Sequence, residues 1–196
     1  MLILDTLQYP VRERAEVLHN GLLDLAGVEL GPMDGDDLIR LRYRAWGLGD
    51  GCSLLHADST GFRFSRRPPR DSGDESPMIG FSLMPVGGAR FSQNDRQELV
   101  PGGGMFIAEM SQGFTCQFAR GSEGINLMIP LEVIDLPLRE VRTAAQYLPL
   151  SPIAALSGQH LAALVRYAKQ FDAPHPAARE AALHVLRALV KSFYAD

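Results

Sequence analysis

"ELVPGGGMFIAEM", residues 98–110, decides the fold. Residues 102–104 are consecutive glycines between Pro101 and a short apolar run. Such a stretch either cradles a phosphate or turns the chain between two strands. A P-loop requires GxxxxGK[ST] between a strand and a helix, with the lysine on the phosphates and the hydroxyl on magnesium. Here Gly104 leads into "MFIAEM", which offers no Lys and no Ser or Thr. A dinucleotide fingerprint requires GxGxxG opening a helix, whereas an apolar strand pattern follows. Strand, turn, strand is the reading that fits: proline fixes φ and glycine supplies a positive φ.

Outward from this turn the same pattern repeats. "LIRLRYRAW" (38–46) alternates, with Ile39, Leu41, Tyr43 and Ala45 on one side and Arg40, Arg42 and Arg44 on the other, as a half-buried strand with a solvated basic face does. Short strands are predicted at "CSLLHA", "FRFSRR", "MIGFSLMPV", "ARFSQ", "MFIAEM", "FTCQFA" and "INLMI", separated by Gly-, Asn- and Asp-bearing turns. Many short strands with such punctuation predict an antiparallel sandwich or barrel. "PPRDSGDESP" (68–77) reads as a surface loop.

Helical periodicity flanks this region. Residues 8–26 predict a helix with Val11, Ala15, Leu18, Leu22 and Leu25 as its stripe, Pro10 in its first turn and Gly27 as its stop, before a Gly/Asp-rich exit at 27–37. After "IPLEVIDLPL" the pattern turns helical again. "SPIAALSGQHLAALVRYAKQFDA" has Ser151 as N-cap and Leu161, Leu164, Val165 and Ala168 on one face. Pro174 and Pro176 break the chain before a last helix striped by Ala178, Ala182, Val185, Leu189 and Phe193 and broadened by Leu186 and Val190. The predicted fold is α+β: an antiparallel β-barrel preceded by one helix and followed by two or more C-terminal helices. The expected organisation is residues 1–35 as helix and connector, 36–132 as barrel and 133–196 as helical appendage, all one unit.

The 196 residues carry a formal charge of −4. That balance argues against this segment holding a nucleic-acid backbone by itself, since Lys and Arg supply such affinity. Cys52 and Cys116 are expected as buried free thiols, and no Cys/His spacing predicts zinc. The start, "MLILDTLQYP", lacks a basic n-region and a cleavage site, and no apolar run reaches membrane-spanning length, so a cytoplasmic protein without membrane contact is expected.

The segment from "GFSLMPVGGARFSQ" to "INLMIPLEVI" resembles the N-terminal effector-binding and dimerisation domain of AraC-type transcription regulators. Residues 93–96 match its "q.gr" hairpin, Leu99, Pro101 and Gly102 its "L.PG" positions, and residues 127–130 its closing "lP" strand. Arg14 fits the opening helix, while Leu18 and Gly103 stand where the family usually has Trp and Asp. The resemblance covers roughly residues 8–194. It implies a cupin-like barrel that binds a small-molecule effector, a homodimer formed through helices outside the barrel, and DNA contact only through a C-terminal helix-turn-helix domain. The chain ends at Asp196, so a fragment of a longer regulator and a stand-alone sensor both remain open.

Alternation places Tyr43, Phe64, Phe81, Leu83, Ile107, Cys116 and Leu127 inside the barrel, either as core filling or as an apolar effector site with Tyr43 and Glu109 as polar handles. An aromatic or acyl-like effector fits these walls better than a sugar. One of Arg40, Arg42 and Arg44 turning inward would pair with an effector carboxylate; the run at residues 63–70, "RFSRRPPR", reads as a solvated strand end. Leu186, Val190 and Phe193 either pack on the barrel or extend to a two-fold partner. The histidines are His19, His56, His160, His175 and His184, with no HxH pair, so no metal and no cofactor is expected. No GxSxG elbow is present, and no enzyme activity is expected. The alternative to a sensor is a stand-alone cupin-like domain, either a metal-free enzyme or an interaction module.

Overall fold

Pro101 and the glycines after it carry the chain from one sheet to the other. The Gly104 amide donates to the Pro101 carbonyl over 2.9 Å, and Gly103 has φ of 81°, the geometry of a type II turn with glycine at its third position. The turn is docked: the Met84 amide donates to the Gly104 carbonyl at 2.9 Å and the Gly103 amide to the Met84 carbonyl at 2.6 Å. Its glycines therefore hold backbone rather than phosphate.

A computed structural model describes residues 2–31, 40–67, 77–170 and 176–194. The elements are β1 (Leu2–Asp5), α1 (Arg14–Ala26), β2 (Glu29–Leu30), β3 (Leu41–Gly49), β4 (Cys52–Ser59), β5 (Arg63–Arg66), β6 (Met78–Val86), β7 (Gly88–Gln93), β8 (Arg96–Pro101), β9 (Met105–Glu109), β10 (Phe114–Phe118), β11 (Ser122–Pro130), α2 (Leu131–Ile134), α3 (Leu138–Tyr147), α4 (Ala154–Gln170) and α5 (Pro176–Lys191). Residues 68–76 of the loop expected at 68–77, residues 32–37 of the exit expected at 27–37, Ile39, Pro174 and His175 lie outside the described residues, and the start of that exit forms β2.

Two antiparallel sheets form the β-region. One has six strands in the order β1-β3-β4-β11-β6-β9, the other five in the order β2-β5-β10-β7-β8. This is the expected α+β layout with antiparallel strands, an N-terminal helix and C-terminal helices. Among the described residues no strand ladder joins the sheets, so the barrel is built as two facing layers rather than one closed ring. The first 35 residues contribute to both: β1 pairs with β3 and β2 with β5. Helix α1 begins later than the periodicity predicts, because two short 3-10 turns, Thr6–Gln8 and Val11–Glu13, precede it. It stops where predicted, at Gly27, whose φ of 59° lets its amide reach the Leu23 carbonyl. Ser151, expected as the N-cap of the next helix, lies in the turn before it: its Oγ accepts from the Ile153 amide at 3.3 Å, and α4 opens at Ala154.

The six-stranded sheet is covered on both faces, and this shapes the rest of the molecule. One face looks across to the five-stranded sheet and shares a core with α1, including Leu41, Tyr43, Met84, Phe106 and Phe91. The other is roofed by α3, α4 and α5 and shares a second core with them, including Trp46, Leu54, Ile79, Leu161, Leu186 and Val190. Strand β3 displays the division. Leu41 and Tyr43 face the partner sheet, whereas Arg42 and Arg44 share the opposite face with Trp46 and Leu48, which the helices cover. No single helix among the described residues is long and apolar enough to cross a membrane.

Candidate functional site

The space between the sheets is not completely filled. A cavity of about 440 Å³ lies there, at the small end of the range found for small-molecule sites, about 300–1,000 Å³. Its floor is the inward row of the six-stranded sheet: Tyr43, Ala57, Ser82, Phe106, Ala108 and Asn126 are part of it. Its roof comes from β5 and β10, with Phe64, Arg66, Phe114, Cys116 and Phe118, and Leu22 of α1 closes one side. The roof rings support one another edge-on, Phe64 to Phe118 at 5.5 Å and Phe64 to Phe114 at 6.1 Å.

Few polar groups interrupt this lining. The Tyr43 hydroxyl and Asn126 Oδ1 are buried with no hydrogen-bond partner among the described residues. Each leaves a desolvation penalty that a bound polar group would relieve. Burial pushes the Tyr43 hydroxyl up, so it stays protonated and can donate. Burial likewise pushes up the Cys116 thiol, which leaves it an apolar wall rather than a nucleophile.

The structure gathers only part of the set read from the sequence. Tyr43, Phe64 and Cys116 line the cavity. Leu83 touches its edge but reaches the helices too, its Cδ1 lying 3.0 Å from where a Cβ on Gly158 would stand. Phe81, Ile107 and Leu127 are corrections: they are fully buried on the opposite face, in the core shared with α3, α4 and α5. Their neighbours Ser82, Phe106, Ala108, Asn126 and Met128 face the cavity instead. Strands β6, β9 and β11 are apolar on both faces, and a continuous apolar run does not reveal which parity faces inward. A signal was nevertheless present. Ser82 and Asn126 are polar residues inside apolar strands, and the register sets them side by side.

Glu109 also leaves the cavity. Its carboxylate accepts from Arg142 Nε at 2.9 Å and Nη2 at 3.0 Å, and from Ser111 Oγ at 2.7 Å. It borders a second, polar cleft of about 410 Å³ between the β7–β8 hairpin and α3. Burial pulls its carboxyl up, but the hydrogen bonds from Arg142 and Ser111 and the charge of Arg142 outweigh that, and the group sits below the ordinary carboxylate range.

The arginine row of β3 stays outside: Arg42 pairs with Asp5 at 2.9 Å and Arg44 with Asp58 at 3.9 Å. Among the described residues the arginine that borders the cavity is Arg66, from the run read as a solvated strand end. Leu186 and Val190 are wholly buried in the helix-facing core, and Phe193 packs against it. Their stripe is thus used within the chain, because α5 packs on α4, α3 and β3 at once.

One group among the described residues has the spacing of metal ligands: His56, Asp58 and Glu123. His56 Nε2 lies 2.7 Å from Glu123 Oε1, and Lys169 Nζ of α4 lies 3.4 Å from the same nitrogen. The Lys169 ammonium occupies the neighbourhood a cation would need, so these side chains fit a polar tie between β4, β11 and α4.

The family model described as AraC-binding-like domain matches residues 23–193. In fold, 96% of the chain is similar to 69% of the AraC-like transcriptional activator CuxR, with a TM-score of 0.74 at 15% identity. Partial overlaps include an RmlC-like cupin protein from Desulfovibrio desulfuricans (12% identity, 45% of this chain and 80% of that one, TM-score 0.34) and KdgF from Halomonas sp. (10% identity, 52% and 86%, TM-score 0.38). No curated protein matches the sequence.

Proposed function

The chain belongs to the AraC-binding-like domain family, and from that premise we propose that it is the effector-sensing part of a cytoplasmic DNA-binding transcription regulator. A small aromatic or acyl-like molecule binds between the sheets, and the helical layer passes the change to a helix-turn-helix domain outside this chain. One observation carries this reading: an apolar cavity in which the Tyr43 hydroxyl and the Asn126 amide oxygen are buried and unpartnered. A pure interaction module has no need of that combination. We also read the chain as a non-enzyme, since among the described residues the cavity brings no nucleophile and base together. The Cys116 thiol is pushed up by burial, and the His56 ring is bonded to Glu123.

Thermal unfolding against a library of small aromatic and acyl compounds tests the reading. A ligand at a hundred times its Kd adds about 2.7 kcal/mol. A domain of this size gains about 2–4 °C per kcal/mol, so a binder is expected to raise Tm by roughly 5–10 °C. Ala108→Trp, which places an indole in the cavity, is expected to abolish that rise while the far-ultraviolet spectrum stays unchanged. A library without a single stabilising compound, or a binder indifferent to Ala108→Trp, would sink the proposal.

A homodimer is proposed as well. Its apolar surface has to come from residues other than Leu186 and Val190, and Tyr147, Leu150 and Leu156 are exposed along α3, the turn after it and α4. Light scattering after gel filtration is expected to give twice the chain mass for the wild type and the single chain mass for Leu150→Glu/Leu156→Glu. A dimeric double variant would rule out this face.

A further inference from the structure

The floor of the cavity repeats a motif. Strand β6 carries GFSLM (80–84), and its antiparallel neighbour β11 carries GINLM (124–128). Register sets Gly80 opposite Met128 and Ser82 opposite Asn126. Gly124 falls where this ladder shifts register, and a Cβ there would stand 4.0 Å from Met84 Sδ. The cavity-facing row is thus the same from either end: a thioether beside a glycine, a pair of polar side chains, then a glycine beside a thioether. At Gly80 a Cβ would meet both amide atoms of Asn126 at 3.2 Å and Met128 Sδ at 3.3 Å, so the glycine leaves those side chains their space.

This row puts polarity in the middle of the floor and apolar matter at both ends. Ser82 stands opposite, yet Asn126 Oδ1 is buried with no hydrogen-bond partner among the described residues, and the same holds for the Tyr43 hydroxyl. Oδ1 requires a donor, and the protonated phenol requires an acceptor. Tyr43 and Asn126 stand on β3 and β11 with β4 between them, so a molecule lying along the strands meets them on opposite edges. A trans secondary amide carries its N–H and its C=O on opposite edges, with one substituent at each end. An ester or a ketone answers Tyr43 and leaves Asn126 without a donor. Thioethers are unbranched and polarizable, with three rotatable bonds in the side chain, so Met84 and Met128 fit substituents of different length.

Resting on the reading of this cavity as the effector site, we propose that its ligand is a neutral secondary amide with an apolar arm on each side. Its N–H donates to Asn126 Oδ1, and its carbonyl accepts from the Tyr43 hydroxyl. Asn126 is then the residue that selects an amide over an ester of the same shape. Met84 and Met128 border the two arms, so the amide group is required while the arms are interchangeable.

Isothermal titration of the chain with N-alkylbenzamides from propyl to octyl and with the matching alkyl benzoate esters tests this. At least one amide is expected to bind about tenfold tighter than its ester, because the ester leaves Asn126 Oδ1 buried without a donor. Asn126→Leu is expected to erase that preference while the ester still binds. Tyr43→Phe is expected to weaken amide and ester alike, since both carry the carbonyl. The comparison on the wild type needs no variant, so the inference stays decidable if Asn126→Leu fails to fold. Equal binding of amide and ester to the wild type overturns the inference and leaves the effector cavity standing. A preference that survives Asn126→Leu removes Asn126 from the role and overturns it too. If neither series binds, the inference falls, and the effector reading is decided by the compound library alone.

Discussion

Trp46→Ala is expected to lower stability by about 3–5 kcal/mol, the usual range for truncating a buried tryptophan. At 1% exposure it is the largest side chain in the core beneath the helices. Losing it opens a void between β3 and α5 that neither a strand nor a packed helix can close. Chemical denaturation should show a fall in midpoint with little change in slope, because the surface exposed on unfolding changes little. The conservative variant sharpens the test. The Trp46 indole nitrogen is buried without a hydrogen-bond partner among the described residues, a penalty of about 1–3 kcal/mol already present in the folded state. Trp46→Phe removes that orphan along with part of the ring, so its net loss should be well under half that of alanine. Equal losses for the two variants would show that the N–H is satisfied in solution. Trp46 faces away from the inter-sheet cavity, so ligand binding should persist in Trp46→Phe.

The second large effect concerns Glu109 and Arg142. The Glu109 carboxylate is 8% exposed, while Arg142 is 56% exposed. Breaking a fully buried pair by removing one partner costs about 3–5 kcal/mol. With half of the arginine already in water, about 2 kcal/mol is the expectation for Arg142→Ala. The pH dependence is the stronger signature. In the wild type the folded-state pKa of Glu109 is depressed below its unfolded value of about 4.3. Its contribution is therefore fully present above that value and is lost as pH falls through the lower folded pKa. In Arg142→Ala only the hydrogen bonds from Ser111 and Gln112 still oppose the burial that pushes the carboxyl up, so the depression shrinks. The variant should therefore lose less Tm than the wild type as pH falls from about 5 to about 3. Parallel Tm profiles for the two proteins across that interval would refute the assignment.

The turn at Pro101 was legible because its alternatives fail on residue type alone: a phosphate cradle without Lys or Ser/Thr is chemically empty. The strands were legible from alternation and punctuation, and the end of α1 from Gly27. What stayed hidden is whatever depends on a second layer. Phe81, Ile107 and Leu127 occupy one parity, and Ser82, Phe106, Asn126 and Met128 the other, in strands with apolar residues on both sides. Only register, such as Tyr43 opposite Ala57 and Ala57 opposite Gly124, ties the parity of β11 to that of β3. The fate of Leu186 and Val190 was hidden for the same reason, since an amphipathic stripe shows that something covers it and not whether that cover is the same chain. Arg66 was obscured by its neighbours: in "RFSRR" its charge looks like one more solvated cation, yet Arg63 is exposed and Arg67 pairs with Glu29 at 3.2 Å.

Strand β9 lies between two rooms of the molecule. Phe106 and Ala108 look into the inter-sheet cavity, while Ile107 and Glu109 look toward the helices, where Arg142 holds the latter. A five-residue strand is too stiff to shift one row of side chains without the other. A ligand that moves Phe106 therefore changes the free energy of whatever arrangement Arg142 and α3 adopt. Thermodynamic linkage makes the effect mutual: a partner that fixes the helical layer alters ligand affinity by the same factor by which the ligand alters the partner's. The affinity of this cavity is then a property of the assembly in which it is measured.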